Sequence, residues 1–393
     1  MDEQVDLLER AMAEASQVVA WRRHLHRHPE LSFQEIETAQ FVAEILGTLE
    51  GVEVSRPTPT SVLGRLRGDL PGPCLGLRAD MDALPVTEET GLPFASERPG
   101  VMHACGHDGH TAMLLGAAKL LAEMRHLLHG EVRFIFQHAE ELSPGGAQEL
   151  VGLHLLDDVD FFVGQHLWAP LEAGKVGIAA GPVTAAPDSF TITVTGRGGH
   201  AAQPHLTIDP IPVVAEIVLA LQQIVSRNID PLRPVVLSVT QIHAGTADNV
   251  LPNEATIVGT VRTQDVSVQK LVAELMERTV QGIAHAHGAD ARVDYEKGYL
   301  PVVNDPATTQ RVRTAVANLL GENAVTQTEP SMVGEDFSAY QQVAPGCFFW
   351  LGSRNEANGI VFPHHHPRFD IEEGALPLGA AALAAIALEF LAG

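Results

Sequence analysis

Hydrophobic positions recur at helical spacing over residues 3–28, where Leu7, Leu8, Met12, Val18, Val19 and Leu25 form one stripe. Pro29 predicts the end of that helix, and Thr38–Leu49 reads as another. Short apolar runs then alternate with helical ones. Cys74–Ala79 predicts a strand ending at Asp80 and Asp82, and Thr111–Met124 predicts a helix. Val132–Phe136 predicts a strand ending at Glu140-Glu141, and Val159–Val163 one ending at His166. This alternation predicts a mainly parallel sheet covered on both faces, a fold in which ligands bind at the carboxyl ends of the strands.

The pattern changes near residue 185. Phe190–Thr195 alternates as a strand, and Ile208–Val225 reads as a strongly apolar helix with Pro210 and Pro212 in its first turn. Val235–Ile242 and Ala255–Arg262 predict strands, Val268–Ile283 a helix and Ala291–Tyr295 a closing strand. The order β-α-β-β-α-β predicts a ferredoxin-like insertion. The chain thus reads as α/β. A mainly parallel-sheet domain spans residues 1–184 and 297–393, and an α+β lid or dimerisation domain is inserted at 185–296. The helix Val213–Val225 is apolar nearly all round, which suits a helix that covers a sheet and also meets a partner subunit.

Composition narrows the function classes. The 393 residues exceed one typical domain, and a 45% hydrophobic fraction is ample for a packed core. A net charge of -24 argues against a nucleic-acid partner, since phosphate backbones require a basic surface. Three cysteines, Cys74, Cys105 and Cys347, suggest a reducing compartment rather than a disulfide framework. The N-terminal stretch lacks the apolar core of a secretory signal, and the tail Gly379–Leu391 is too short to span a bilayer. The expectation is a cytoplasmic protein with no membrane partner.

Candidate chemistry gathers at the predicted strand ends. Cys105 and His107 flank Gly106, a spacing that lets a thiolate and an imidazole turn to one point; a buried thiol beside a helix-capping loop is the alternative. Glu140-Glu141 supplies adjacent carboxylates, one able to ligate a metal while its neighbour serves as a base, unless the pair is a solvated acidic loop. His166 and the run His364-His365-His366 add imidazoles. Asp80 and Asp82 are suited to hold imidazoles in the right tautomer, and His103, Asp108, His110 and His138 read as supporting or structural groups. Gly196-Arg197-Gly198-Gly199-His200 lacks the Lys-Ser/Thr ending of a phosphate loop, so nucleotide binding is rejected. In the insertion, His200, Asn249 and Arg262 suit an anionic substrate, with Arg262 clamping a carboxylate.

Several motifs stand in one order along nearly the whole chain. They are Trp21-Arg22-Arg23-His24-Leu25-His26, LRADMDALPVTE, GVMHACGHDGHTAMLLGAA, FQHAEE, GRGGHAAQPH, ADNVLPNEATIVGTVRT, GEDFSAY and HHPRFD. This set resembles the metal-dependent amidohydrolase family that contains hippurate hydrolase, N-acyl-amino-acid amidohydrolases and auxin-conjugate hydrolases, and it is similar more distantly to aminoacylase and carboxypeptidase G. The resemblance implies a metal-binding catalytic domain holding two divalent ions, drawn from zinc, manganese, cobalt or nickel. It implies Cys105, His107, Glu141, His166 and His365 as ligands, with Cys105 bridging. His365 is taken over His366 because the family motif reads His-x-Pro. Glu140 is implied as general base and acid, and His200 as the oxyanion stabiliser, which in some relatives reaches the other subunit of a dimer. Asn249 and Arg262 are implied to hold the amino-acid carboxylate.

The chain departs from the family at His138, where proline is usual, and at Gln165, where leucine is common. The expected reaction is hydrolysis of the amide bond of a small N-acyl amino acid by a homodimer or a dimer-based oligomer. The rivals are a metallo-dipeptidase or carboxypeptidase on the same scaffold, and a non-catalytic metal-binding protein.

Overall fold

Pro29 does end the first helical stretch, which is broken once. In the computed structural model, which describes residues 2–392 with side chains from Leu7 onward, α1 (Asp2–Ala13) and α2 (Ala15–Arg27) are separated at Glu14. Then follow α3 (Ile36–Gly47), β1 (Val52–Ser55), β2 (Val62–Arg67) and β3 (Leu70–Asp80). The next helix, α4 (His107–Glu123), begins four residues earlier than the hydrophobic pattern predicts. Gly106 caps it in the left-handed region at φ +93, which only glycine adopts freely, so His107 and Asp108 lie in its first turn. β4 (His129–Gln137), α5 (Gly146–Gly152), β5 (Phe161–Glu172) and the short β6 (Val176–Gly177) and β7 (Gly181–Pro182) complete this segment.

A second compact unit comprises Thr184–Val302 with Pro330–Glu335. It contains β8 (Ala186–Thr195), β9 (Gly199–His200), α6 (Pro210–Gln223), β10 (Val235–Ala244), β11 (Val250–Leu251), β12 (Glu254–Thr263), α7 (Val266–Ala286) and β13 (Asp290–Glu296). The antiparallel sheet runs β10-β12-β8-β13, the strand order of the split β-α-β arrangement. Asp209 caps α6 by accepting from the Ile211 N–H, and Asp265 caps α7 by accepting from Ser267 and Val268. Val213, Ile217 and Leu221 of α6 pack with Val272, Met276 and Val280 of α7 over Ile192 and Ile257. Among the described residues Pro210–Asn228 is the one helical segment long and apolar enough to cross a membrane by length and composition. Its face bearing Val213 and Ile217 lies in this unit's core, while Ile211 and Leu219 are exposed.

The chain then returns to the first unit through β14 (Val303–Asn304), α8 (Pro306–Leu320), β15 (Val325–Thr326), β16 (Gly346–Arg354) and α9 (Ala375–Phe390). The eight-stranded sheet has the order β1-β2-β4-β3-β5-β16-β6-β15. β4, β3, β5 and β16 are mutually parallel, so their carboxyl ends share one edge. β5 runs six residues past His166, which was expected at its end. The parallel partner β16 extends the ladder, pairing Trp350 with His166. Both faces of the sheet are buried, with Leu75, Leu77, Phe134, Val163 and Phe349 in one core with α4 and the small-residue helix α9. Stable burial of this edge-to-edge core leaves the loops after β3 and β4, and the loop after β16, free to carry polar groups.

Candidate metal centre

Four chain segments converge at that carboxyl edge. The donor atoms of Cys105, His107 and His166 all lie within 4.8 Å of one another, as do those of Cys105, Glu141 and His365, and those of His107, Glu140 and Glu141. Cys105 belongs to two of these sets and Glu141 to two. Cys105 Sγ is 3.5 Å from His166 Nε2, and Glu141 Oε1 is 3.2 Å from His365 Nε2 and 3.9 Å from His107 Nε2.

The ring tautomers are fixed from behind. His107 Nδ1 faces the Asp82 carbonyl at 2.9 Å and Asp82 Oδ1 at 3.2 Å, leaving Nε2 toward the cluster. His166 Nδ1 donates to the Leu167 carbonyl, leaving its Nε2 toward Cys105. His110 is committed on both sides: Nε2 accepts from the Leu167 N–H and Nδ1 donates to Asp80. Asp80 and Asp82 therefore support imidazoles, as expected. Asp108 does not. Its Oδ2 accepts from Arg22 Nε and His26 Nδ1, because the first turn of α4 aims it at α2, away from the cluster.

The three consecutive histidines have three different surroundings. His365, at φ +64, faces Glu141. His364 turns inward, its Nε2 accepting from the Ala169 N–H and its ring layered on Trp168. His366 Nδ1 accepts from the Arg368 N–H and stacks on Phe362.

The electrostatics favour a cation. Burial, then Glu141, Glu140 and Asp80, hold the Cys105 thiol well above its usual range. Burial works to lower the His107 pKa, but Asp80, Asp82 and Glu141 outweigh it and raise it to about 10. Burial, then His110 and His364, push His166 well below the usual histidine range. His107 Nε2 and Glu141 Oε1 are buried without a hydrogen-bond partner. A thiol, three imidazoles and carboxylates that share donor atoms, with the freest of those atoms turned to one point, fit a pair of borderline divalent ions.

Several supporting residues escaped the sequence reading. Arg78, buried in β3, donates to Gln137 through Nε, to Asp80 through Nη1 and to Asp336 through Nη2, each within 2.8 Å. Tyr340 donates to Gln137, and Gln137 and the Ala147 N–H donate to Asp336. Glu35 accepts from the N–H of Ala139, the residue that turns the chain at φ +50 just before Glu140. An arginine between Leu77 and Ala79 in an apolar strand was the one readable signal.

In the second unit, β9 and β11 bring His200 and Asn249 together. His200 pairs with Val250, and the Asn249 carbonyl accepts from the Ala201 N–H. Arg262 is not with them. It pairs with Pro187 at the far end of β12, and from Glu254 to Arg262 that strand rises roughly 27 Å at about 3.4 Å per residue. The Asp188 carboxylate beside Arg262 is occupied by Gln269, Tyr295 and the Gly298 N–H. Among the described residues no ion pair engages the Arg262 guanidinium.

A parallel sheet presenting a shared-donor cluster with Glu140 at its carboxyl edge defines a metal-dependent hydrolase of α/β architecture. Residues 76–389 match the model of peptidase family M20/M25/M40, and the chain belongs to that family. It is 59% identical over 287 residues to an N-acyl-L-amino acid amidohydrolase of Geobacillus stearothermophilus, covering 73% of this chain and 78% of that protein. It is 43% identical to thermostable carboxypeptidase 1 of Saccharolobus solfataricus, covering 98% and 99% of the two chains. Among solved structures, a Bacillus subtilis protein described as a dinuclear metal binding peptidase superposes with a TM-score of 0.85 at 36% identity, covering 97% and 99%.

Proposed function

We propose that this protein hydrolyses the amide bond of N-acyl amino acids to a carboxylic acid and a free amino acid, using two divalent ions. The observation that carries this reading is the sharing of Cys105 between two donor sets, with Glu140 in a third set that includes His107 and Glu141. Bound by Cys105, His107, Glu141, His166 and His365, divalent ions supply Lewis acidity toward a water and the scissile carbonyl. Glu140 takes the proton from the attacking water as the C–O bond forms. It returns that proton to the amide nitrogen as the C–N bond breaks. His200 donates to the developing oxyanion, and the unengaged guanidinium of Arg262 holds the substrate carboxylate.

We propose a homodimer as the working form. His200 and Asn249 stand at one end of the small unit and Arg262 at the other, a spacing too long for one amino-acid conjugate. Two copies supply His200 and Asn249 from one chain and Arg262 from its partner, so Asn249 contacts the oxyanion side rather than sharing the carboxylate. The exposed apolar face of α6, with Ile211 and Leu219, suits such an assembly. A cytoplasmic location agrees with three free, buried cysteines.

The full-length similarity to a thermostable carboxypeptidase favours one second reading, cleavage of a peptide-like substrate on the same site. The test is a panel of acetyl-, benzoyl- and indole-acetyl-amino acids beside dipeptides, assayed after chelation and after adding back zinc, manganese, cobalt or nickel. Metal-restored release of amino acid from the acylated substrates supports the proposal. Activity on dipeptides alone moves the assignment to a peptidase. Glu140→Gln is expected to keep the metal and lose roughly 10²–10⁴-fold in kcat.

A further inference from the structure

We infer that His364 is a positioning residue that ties the loop bearing His365 to the strand bearing His166, and so sets how tightly the Cys105-centred donors hold a divalent ion. This inference rests on the metal reading above.

His365 is the exposed member of the donor set. It is 54% exposed and sits at φ +64, a backbone conformation that side-chain-bearing residues rarely adopt. Its own N–H donates to the Ala104 carbonyl, which fixes one point of the loop. A single hydrogen bond does not fix the direction in which an exposed imidazole points. The neighbouring residue supplies the other constraints. His364 Nε2 accepts from the Ala169 N–H at 3.1 Å, three residues past His166 on β5. Its ring lies 5.2 Å from Trp168 at 30° and 5.0 Å from Phe369 at 36°, while Trp168 stacks on Trp350 at 4.2 Å. Its edge meets the His166 ring at 5.3 Å. Its Nδ1 is buried and lies toward the Cys105 backbone, short of full hydrogen-bond geometry.

One side chain thus touches the surroundings of three donors: Cys105 through its backbone, His166 through its ring, and His365 through the peptide bond. His364 is not itself a ligand. Its Nε2 lone pair is engaged by Ala169, and its ring is packed among aromatic groups instead of opening on Glu141. The aromatic layer of Trp350, Trp168 and His364 is rigid because each ring is packed by the next. Displacing His364 loosens the loop while leaving every donor present.

The test uses the full-length chain, stripped with chelator and titrated with zinc against a chromophoric competitor. The variants are His364→Ala, His364→Gln and His364→Phe, with His366→Ala as control. The alanine variant is expected to bind zinc about 10–100-fold more weakly, the usual effect of removing a group that supports a ligand. Glutamine, whose Oε1 can accept from Ala169, is expected to recover part of the loss. Phenylalanine keeps the ring but not the acceptor and falls between them. His366→Ala is expected to match the wild type.

Thermal midpoints of the metal-free proteins separate positioning from plain stability, because a merely structural role lowers those midpoints and leaves zinc affinity unchanged. Should the alanine variant not fold, the glutamine and phenylalanine variants carry the comparison. Wild-type zinc affinity in folded His364 variants overturns the inference. A wild-type chain that binds no zinc, manganese, cobalt or nickel overturns the metal reading as well.

Discussion

The Asp82 carboxylate holds His107 and the Glu141 backbone at once: Oδ1 is 3.2 Å from His107 Nδ1, and Oδ2 accepts from the Glu141 N–H at 3.0 Å. Oδ2 also accepts from the Ser32 hydroxyl. One buried side chain therefore aligns two candidate ligands from segments far apart in sequence. Asp82→Ala is expected to weaken zinc binding about 10–100-fold while leaving the fold intact. Asp82→Asn should do no better, because its amide must oppose a donor at one of the two positions. Competitive zinc titration checks both variants, and an unchanged affinity would mean that the Asp82 carbonyl alone orients His107.

The Arg78–Asp336 pair beneath the cluster is held at 2.7 Å with both side chains 1% exposed. Removing the carboxylate takes the acceptor from Arg78 Nη2 and from the donors of Gln137 and Ala147, while Asp80 still pairs the guanidinium. Asp336→Ala is expected to lose about 1–3 kcal/mol of stability, the usual effect of leaving buried donors without their acceptor. Urea unfolding of the metal-free protein measures it. A loss under about 1 kcal/mol, the range of exposed pairs, would show that the site is solvated in solution.

These two networks also mark what the sequence could convey. Glu140, Glu141 and His166 were legible because each follows an apolar run that announces a strand, and Cys105 and His107 were legible from their spacing about Gly106. Arg78 and Asp336 are separated by 258 positions, and no periodicity links them. The extent of β5 was hidden by Pro170, which reads as a strand breaker yet sits, exposed, inside Phe161–Glu172. The grouping of His200 with Asn249, and not with Arg262, depends on the β9–β11 ribbon. Strands that short carry almost no hydrophobic pattern. His364 was indistinguishable from its neighbours because three identical side chains differ only in which way the backbone turns them.

Glu35 gives the fold a titratable element. Its side chain is buried, Oε1 accepts from the Ala139 N–H, and Oε2 has no partner. Burial, then the Asp82 charge, push its pKa from 4.5 up to about 8. The native state keeps a proton that the unfolded chain releases, so the contribution to stability is full below about pH 4.5 and is lost as pH rises through 8. Wild type should therefore lose stability relative to Glu35→Gln across that window, with a slope approaching about 1.4 kcal/mol per pH unit. Urea midpoints of metal-free protein at pH 5, 6.5 and 8 test it. Parallel curves for the two proteins would place the Glu35 pKa at its ordinary value.

Gln165 stands next to His166 but points to the opposite face of β5, since neighbouring strand residues alternate sides. Its Nε2 donates to the Gly379 carbonyl at 3.3 Å and lies 3.6 Å from Met113 Sδ, while its Oε1 is buried with no partner. The Gly379 carbonyl lies inside α9, where it has a helical acceptor role of its own, so losing the glutamine does not orphan it. Leucine replaces a half-satisfied amide with a side chain of similar size beside Met113, which is fully buried. Gln165→Leu is expected to raise stability by about 1–2 kcal/mol, the desolvation cost of one unpaired buried polar group. Its zinc affinity should match the wild type because the His166 face is untouched. A stability loss in urea unfolding would mean that Oε1 is paired with an ordered water, and that the amide is part of the structure rather than a strain on it.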